Sequence, residues 1–379
     1  MLEGLLSDLL QPWRLASLAL AVAVTGLFAA APARMSAQAD AVVVLATTLE
    51  TPVLEQAVAL LTAEPQLEET TLAGLPTTVA RPNGGGVRPV LLIVNGAAEL
   101  GRREPALRRL ARGLARAGYL VYIPDLPGLA RGELTEQTLE AIVNAAHAAG
   151  DRVGLVGVSV GTSLALLAAQ DDSLAGRISV VTGTAPFADL TNLVRLATTG
   201  YYRDGNLLIP YETDPFLGVA VARSLAAALP AGRDRNTLVG RVDALDDDAA
   251  DPLAPIRSVP TAALTPQTRA IVELLANDDP RRFYELYERA PAEVRMALEH
   301  LSPITGASRV TAQVELASAP RDKYVPLAEP QALVRAVPNA RLTVTETLEH
   351  AVPEPTLGGL GELFRFHGWV VRSLEAAAS

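Results

Sequence analysis

No cysteine occurs among the 379 residues. Disulfides, a cysteine nucleophile and thiolate metal sites are therefore excluded. The compartment is not, because exported proteins without disulfides are common. Basic charge is also short: 32 Lys and Arg face 42 Asp and Glu, a net charge of −10. A nucleic-acid binder needs a basic stripe to displace counterions, so that class is excluded too. Lys323 is the only lysine, which we attribute to codon usage in an alanine- and arginine-rich chain. Aromatics are few, at 4%. With only four histidines, the candidates for a general base can be weighed one by one.

What the chain does have is apolar residues, 49% of the total. That is enough for one large domain with an insertion, or for two domains. "LASLALAVAVTGLFAAAPA", residues 15–33, carries no charge. As a helix it would span about 28 Å, close to the thickness of a bilayer. Besides a buried helix of the globular domain, two readings of residues 1–40 stay open. One is a secretory signal peptide cleaved after "AQA", before Asp40. The other is a retained transmembrane anchor, suggested by the length of the run and by Glu3 and Asp8 in the leader. Both place the protein at the membrane or outside it, in the cell envelope or beyond. Arg14 and Arg34 flank the run evenly, so charge barely orients it.

Residues 41–65 read as a connecting helical segment. From residue 66 the pattern becomes that of an α/β domain. "ETTLAG" and "LPTTVARP" suggest a hairpin, and "RPVLLIVNG" a strand buried on both faces. Helices and buried strands then alternate through "YLVYIPDLPG", "DRVGLVGVSVG" and "RISVVTGTAPF". Such alternation implies a mostly parallel twisted sheet flanked by helices. Residues 188–305 break it with helical patterns and no buried-strand run, and it resumes with "SRVTAQVELASAP" and "ARLTVTET". The expected organisation is a core over 66–187 and 306–379, with a helical cap inserted over 188–305. Seven of the sixteen aromatics fall in that insertion: Tyr201, Tyr202, Tyr211, Phe216, Phe283, Tyr284 and Tyr287. They are candidates to wall a substrate pocket, although "FYELYERA" could equally pack the cap's own core. The acidic run "DALDDDAADP" lacks the spacing of a calcium loop and reads as a solvated loop.

"GVSVG", residues 157–161, places Ser159 where a buried strand turns into a helix. In so sharp a turn the flanking residues crowd together, which favours glycine at 157 and 161. The turn lifts the hydroxyl to the carboxyl edge of the sheet, and the next helix aims its first amides at the same place. The pentapeptide is common enough to arise by accident, so its partners matter. A serine needs a base, and the base an orienting acid. His147 lies within a helix, His300 near the end of the insertion and His367 in the last helix. Only His350, in "TETLEHAVPEP", follows a core strand on the serine's edge. The acid candidate is Asp322, in "ASAPRDKYVP", with Asp189 as its competitor. Asp125 reads as structural.

These residues resemble the α/β-hydrolase superfamily, including bacterial hydrolases with an N-terminal hydrophobic segment. "GVSVG" matches the family's nucleophile elbow, "DKYVP" its acid segment, and the order Ser, Asp, His its triad. The resemblance implies an oxyanion hole formed by the amides of Ala97 and Val160. Asn95 stands where the family usually has histidine before a glycine, and that glycine, Gly96, is retained. A serine nucleophile sets the chain apart from relatives that use aspartate or cysteine. The implied function is hydrolysis of a carboxylic ester or other small acyl substrate through an acyl-enzyme, with no cofactor and no metal. An amidase, peptidase or thioesterase on the same triad is the alternative. A binding protein without catalysis is the reading from another class, against which the complete triad argues.

Overall fold

The computed structural model describes residues 35–49, 52–83, 88–353 and 360–379. The uncharged segment 15–33 lies outside them. Among the described residues no helix is long and apolar enough to cross a membrane.

Eight strands form one sheet: β1 (Gln66–Leu72), β2 (Leu75–Arg81), β3 (Arg88–Val94), β4 (Tyr119–Pro124), β5 (Val153–Val158), β6 (Ile178–Thr184), β9 (Gln313–Ser318) and β10 (Ala340–Val344). Their order across the sheet is β1-β2-β4-β3-β5-β6-β9-β10. β1 and β2 are antiparallel, and every other pairing is parallel. This is the expected mostly parallel sheet flanked by helices. The apolar runs foreseen as buried strands are β4, β3, β5 and β6, in adjacent central positions.

Helices cover both faces, as parallel strands require. On one face lie α1 (Met35–Thr48), α3 (Pro105–Arg116) and α13 (Leu360–Ala378). On the other lie α4 (Glu136–Ala149), α5 (Val160–Ala168), α12 (Ala328–Ala336) and the segment inserted between β6 and β9. The sequence explains the helix ends. Thr135 caps α4 by accepting the Thr138 amide. Pro105 opens α3, where its missing amide costs nothing. The buried residues Leu107, Ala111, Leu114 and Ala115 recur at helical spacing.

The inserted segment leaves and rejoins the core at one point. The Ile304 amide bonds to the Ala188 carbonyl at 3.1 Å, and the Leu190 amide to the Ser302 hydroxyl at 2.8 Å. Between these ends run α6 (Leu190–Thr199), α7 (Phe216–Ala227), α8 (Arg233–Val242), α9 (Pro266–Leu275), α10 (Phe283–Arg289) and α11 (Ala292–His300). A short exposed hairpin, β7 (Tyr201–Asp204) with β8 (Leu207–Pro210), interrupts the helices. Strands this short and exposed carry no buried-strand run, so the apolar pattern did not betray them. In the acidic run, Asp243, Asp247 and Asp251 pair with Arg131, Arg223 and Arg257.

α1 differs from expectation. It runs unbroken through residue 40, the expected boundary between leader and connecting segment. Ala37, Ala41, Val44 and Leu45 are buried in the same core as α3 and α13, and Asp40 is ion-paired to Arg88 of β3. Burial raises the Asp40 carboxyl above its ordinary range, and the Arg88 guanidinium counters it. The small residues around position 40 fit a cleavage site, but they fit a tightly packed helix equally well.

Gly113 is where α1 and α3 come closest. A Cβ there would lie 3.0 Å from the Val44 carbonyl oxygen and 3.3 Å from Thr47 Cβ. Gly113→Leu is therefore predicted to cost about 1–3 kcal/mol by overpacking. Leu60→Ala, at a position 88% exposed, should stay within about 0.5 kcal/mol. Urea denaturation compares them, and equal stabilities would mean that α1 is not docked as described.

Candidate active site

β5 ends at Val158 and α5 begins at Val160, so Ser159 alone makes the turn. It does so at φ 53°, ψ −128°, a conformation side chains rarely adopt. The flanking glycines are sterically required. A Cβ at Gly157 would come within 2.3 Å of Thr162 Cα, and one at Gly161 within 2.1 Å of the Val94 carbonyl oxygen. The turn is fastened by the Ser159 amide donating to the Thr184 carbonyl at 3.0 Å.

Asp322 and His350 come to this serine from loops beyond β9 and β10. His350 Nε2 lies 2.7 Å from Ser159 Oγ. Its Nδ1 lies 2.8 Å from both carboxylate oxygens of Asp322. Asp322 is 2% exposed, and burying a carboxylate without partners would be costly. Here the amides of Tyr324 and Val325 donate to its Oδ1 at 2.8 and 3.0 Å. The expected Ser–His–Asp chain is thus assembled in bonding contact. His350 itself has φ 54°, a second strained residue in the same site. Such strain persists only where surrounding structure enforces it.

The other candidates lie elsewhere. Asp189 caps α6, its carboxylate accepting the Thr191 amide at 2.8 Å. Asp125 pairs with Arg102 at 2.8 Å, a structural role as expected. His147 bonds to Ser173 and His300 to Glu136, both at exposed positions. His367 is buried in α13.

Ala97 and Val160 line the same cavity as Ser159. The Val160 amide opens α5, and a first helical amide has no intrahelical acceptor. Gly96 packs hard against Ser159: a Cβ there would lie 3.0 Å from the Val158 carbonyl oxygen and 3.3 Å from Ser159 Cβ. Asn95 is 1% exposed and donates through Nδ2 to the Gly96 carbonyl at 2.9 Å. Asn95 thus braces this loop.

The supporting contacts of three residues were not foreseen from the sequence. Tyr324, inside "DKYVP", sets its ring edge-on to His350 with centroids 4.5 Å apart. Burial and the nearby Asp214 raise its phenol well above the ordinary value. Tyr211 donates its hydroxyl to the Asp322 carbonyl, and burial pushes its pKa up to about 12. Glu329 accepts the amides of Ala188 and Asp189 and the side chain of Asn192. Burial raises its carboxyl, and these donors counter that. Only Tyr324 had a signal, its place two residues after the acid.

A cavity of about 430 Å³ surrounds Ser159 and His350. Of the seven cap aromatics only Phe216 lines it, and the cap's share of the wall is otherwise chiefly aliphatic, from Leu190, Leu193, Leu217 and Val221. Tyr202 instead meets Tyr211 edge-on, and Arg195 lies over the rings of Phe283 and Tyr284. "FYELYERA" therefore packs the cap's own core.

No protein-family model and no curated protein matches the chain. Among solved structures it is similar to an acylaminoacyl peptidase in complex with a chloromethyl ketone, at 14% identity and TM-score 0.48, covering 85% of this chain and 44% of that one. The chain thus spans less than half of that protein's length. It is also similar to Est1E from Butyrivibrio proteoclasticus, at 13% identity and TM-score 0.46, covering 83% and 99% of the two chains. An esterase of Pyrococcus furiosus matches at 14% identity and TM-score 0.44, covering 86% and 94%.

His367 yields a prediction about pH. It is 1% exposed, and neither ring nitrogen has a hydrogen-bond partner among the described residues. Burial lowers its pKa from 6.5 to about 4. Between those values the unfolded chain binds a proton that the folded chain does not. Its contribution is therefore fully present above pH 6.5 and is lost as pH falls towards 4. Across that window the loss should reach about 3 kcal/mol. Urea denaturation at pH 7 and pH 4.5 should show a smaller acid loss in His367→Phe than in the wild type. Parallel losses would assign acid sensitivity to other groups.

Proposed function

We propose that the protein is a serine hydrolase that cleaves a carboxylic ester through an acyl-enzyme. The observation that carries this reading is the unbroken chain from Asp322 through His350 to Ser159, with contacts of 2.8 and 2.7 Å. A serine hydroxyl is a weak nucleophile at neutral pH, and a histidine in bonding distance removes its proton as attack proceeds. Asp322 accepts from Nδ1, which leaves Nε2 free as the base, and stabilises the imidazolium that forms. The amides of Ala97 and Val160 hold the oxyanion, aided by the positive end of α5. His350 then returns the proton to the departing alcohol. Water repeats the sequence on the acyl-enzyme. The apolar wall supports an uncharged substrate such as an ester.

Under this reading Ser159→Ala and His350→Ala should each lower kcat on nitrophenyl esters by about a million-fold, because the triad acts as a unit. Asp322→Asn should cost about ten-thousand-fold through the wrong imidazole tautomer. Asp189→Asn, which alters only a helix cap, should stay within a few-fold of wild type. A wild-type rate in Ser159→Ala would sink the assignment. The matching anilides measured beside the esters separate esterase from amidase.

We also infer that residues 15–33 hold the protein at the membrane as a retained anchor. Support comes from α1. Cleavage before Asp40 would remove the buried Ala37 and Gln38. It would also set a charged amino group beside the Asp40–Arg88 pair. Fractionated cells should hold the full-length chain in the membrane pellet. A mature chain starting at Asp40 would instead establish a signal peptide, and uncleaved protein in the cytosol would refute both.

A further inference from the structure

The cavity at Ser159 does not end beneath the cap. Its lining draws on both hydrophobic cores, one on each face of the sheet. One arm lies under α6 and α7. The other passes behind β5, between the sheet and α1, α3 and α13, where Val44, Leu110, Leu114, Trp369, Leu374 and Ala377 border it. β5 carries an independent mark of this rear arm. A central parallel strand covered on both faces should bury its side chains fully. Val156 and Val158 are only partly buried, although Ile93 and Val180 of the neighbouring strands belong to the same core and are fully buried.

Apart from Glu104 and Thr184, whose buried hydroxyl has no partner among the described residues, the rear wall is dry in its chemistry. Thr182 and Ser373 share a hydrogen bond of 2.7 Å, and Thr48 donates to the Val44 carbonyl at 2.7 Å. Their hydroxyls are thereby occupied, and a polar ligand would lose water there with little compensation. Protein interiors are normally close-packed. An apolar channel that begins at the nucleophile therefore suits an apolar part of the substrate.

We propose that the rear arm is the acyl site and that the substrate is an ester of a long, unbranched carboxylic acid. This rests on Ser159 being the nucleophile as proposed above. The direction of the chain follows from His350. Its Nε2 must protonate the leaving oxygen, and its ring neighbour Tyr324 packs with the cap-side core. The alcohol therefore departs on the cap side, and the acyl chain runs behind β5 toward α1 and α13. In the step itself Ser159 Oγ bonds to the acyl carbon as the bond to the alcohol oxygen breaks. The serine proton passes through His350 to that oxygen, and water then releases the free acid by the same route.

Butyl and dodecyl fluorophosphonates test this on the full-length protein, below their aggregation concentrations. Each forms a bond from Ser159 Oγ to phosphorus and releases fluoride, and mass spectrometry follows the modified serine. A buried methylene can accelerate labelling by up to about four-fold, so the dodecyl probe should react at least about ten-fold faster than the butyl one. In Ala377→Trp and Val44→Trp the dodecyl-to-butyl ratio should fall towards one. A wild-type ratio near one overturns the proposal and needs no variant. So does an unchanged ratio in both variants, once melting curves show that they fold. A ratio lowered by Ala220→Trp under the cap, but not by the rear variants, would put the chain in the other arm. No labelling of Ser159 by either probe would overturn the nucleophile assignment and this inference with it.

Discussion

Everything at this site depends on a steric constraint: β5 must become α5 within a single residue. The chain can do so only if nothing projects from positions 157 and 161, where the helix start and the Val94 carbonyl occupy the space. Gly183 of the next strand obeys the same constraint, since a Cβ there would lie 2.4 Å from Thr162 Oγ1. Three glycines, two on adjacent strands and one in the first turn of α5, thus allow one serine to take a strained conformation. Its hydroxyl is thereby raised at the sheet edge, beside the first amide of a helix.

Asp322 and His350 arrive on loops that follow β9 and β10, and loops need bracing if they are to hold a geometry within bonding tolerance. Asp322 is braced by the backbone of its own turn and by Tyr211 from the inserted segment. The Asp214 amide bonds to the Lys323 carbonyl at 2.7 Å, a second tie from the insertion to the acid loop. Glu329 binds α12 to the point where the insertion leaves the core. The cap is therefore part of the scaffold that holds Asp322 in place, beyond being a roof over the cavity. α1 plays a comparable part on the opposite face, where it closes the rear of the sheet and walls the cavity.

Sequence and structure agree where the physics is local or periodic. The apolar runs of β3, β5 and β6 announce strands buried on both faces, and helical spacing in residues 105–116 announces α3. The elbow, the acid turn and the base each follow a core strand, and parallel strands all present their carboxyl ends to the same edge. That rule made Ser159, Asp322 and His350 legible together, although 163 and 28 residues separate them in turn along the chain. It ranked Asp322 above Asp189 without excluding the second, because both follow core strands. Only the three-dimensional path of each loop shows that one carboxylate caps a helix while the other meets the imidazole.

By itself the sequence determined the architecture, the nucleophile turn and the short set of partners it could have, because strand burial, glycine sterics and residue scarcity are properties of the chain. Tertiary structure decided the rest. Tyr211 and Glu329 act across more than a hundred residues, and no local pattern marks such contacts. Five of the seven cap aromatics face one another or Arg195 because their orientation depends on how the helices pack. The space behind β5 is the clearest case. Val156 and Val158 are ordinary strand residues, and an ordinary valine carries no sign of a void beside it. A void exists only between elements, so it comes into being when α1, α3 and α13 close over the sheet.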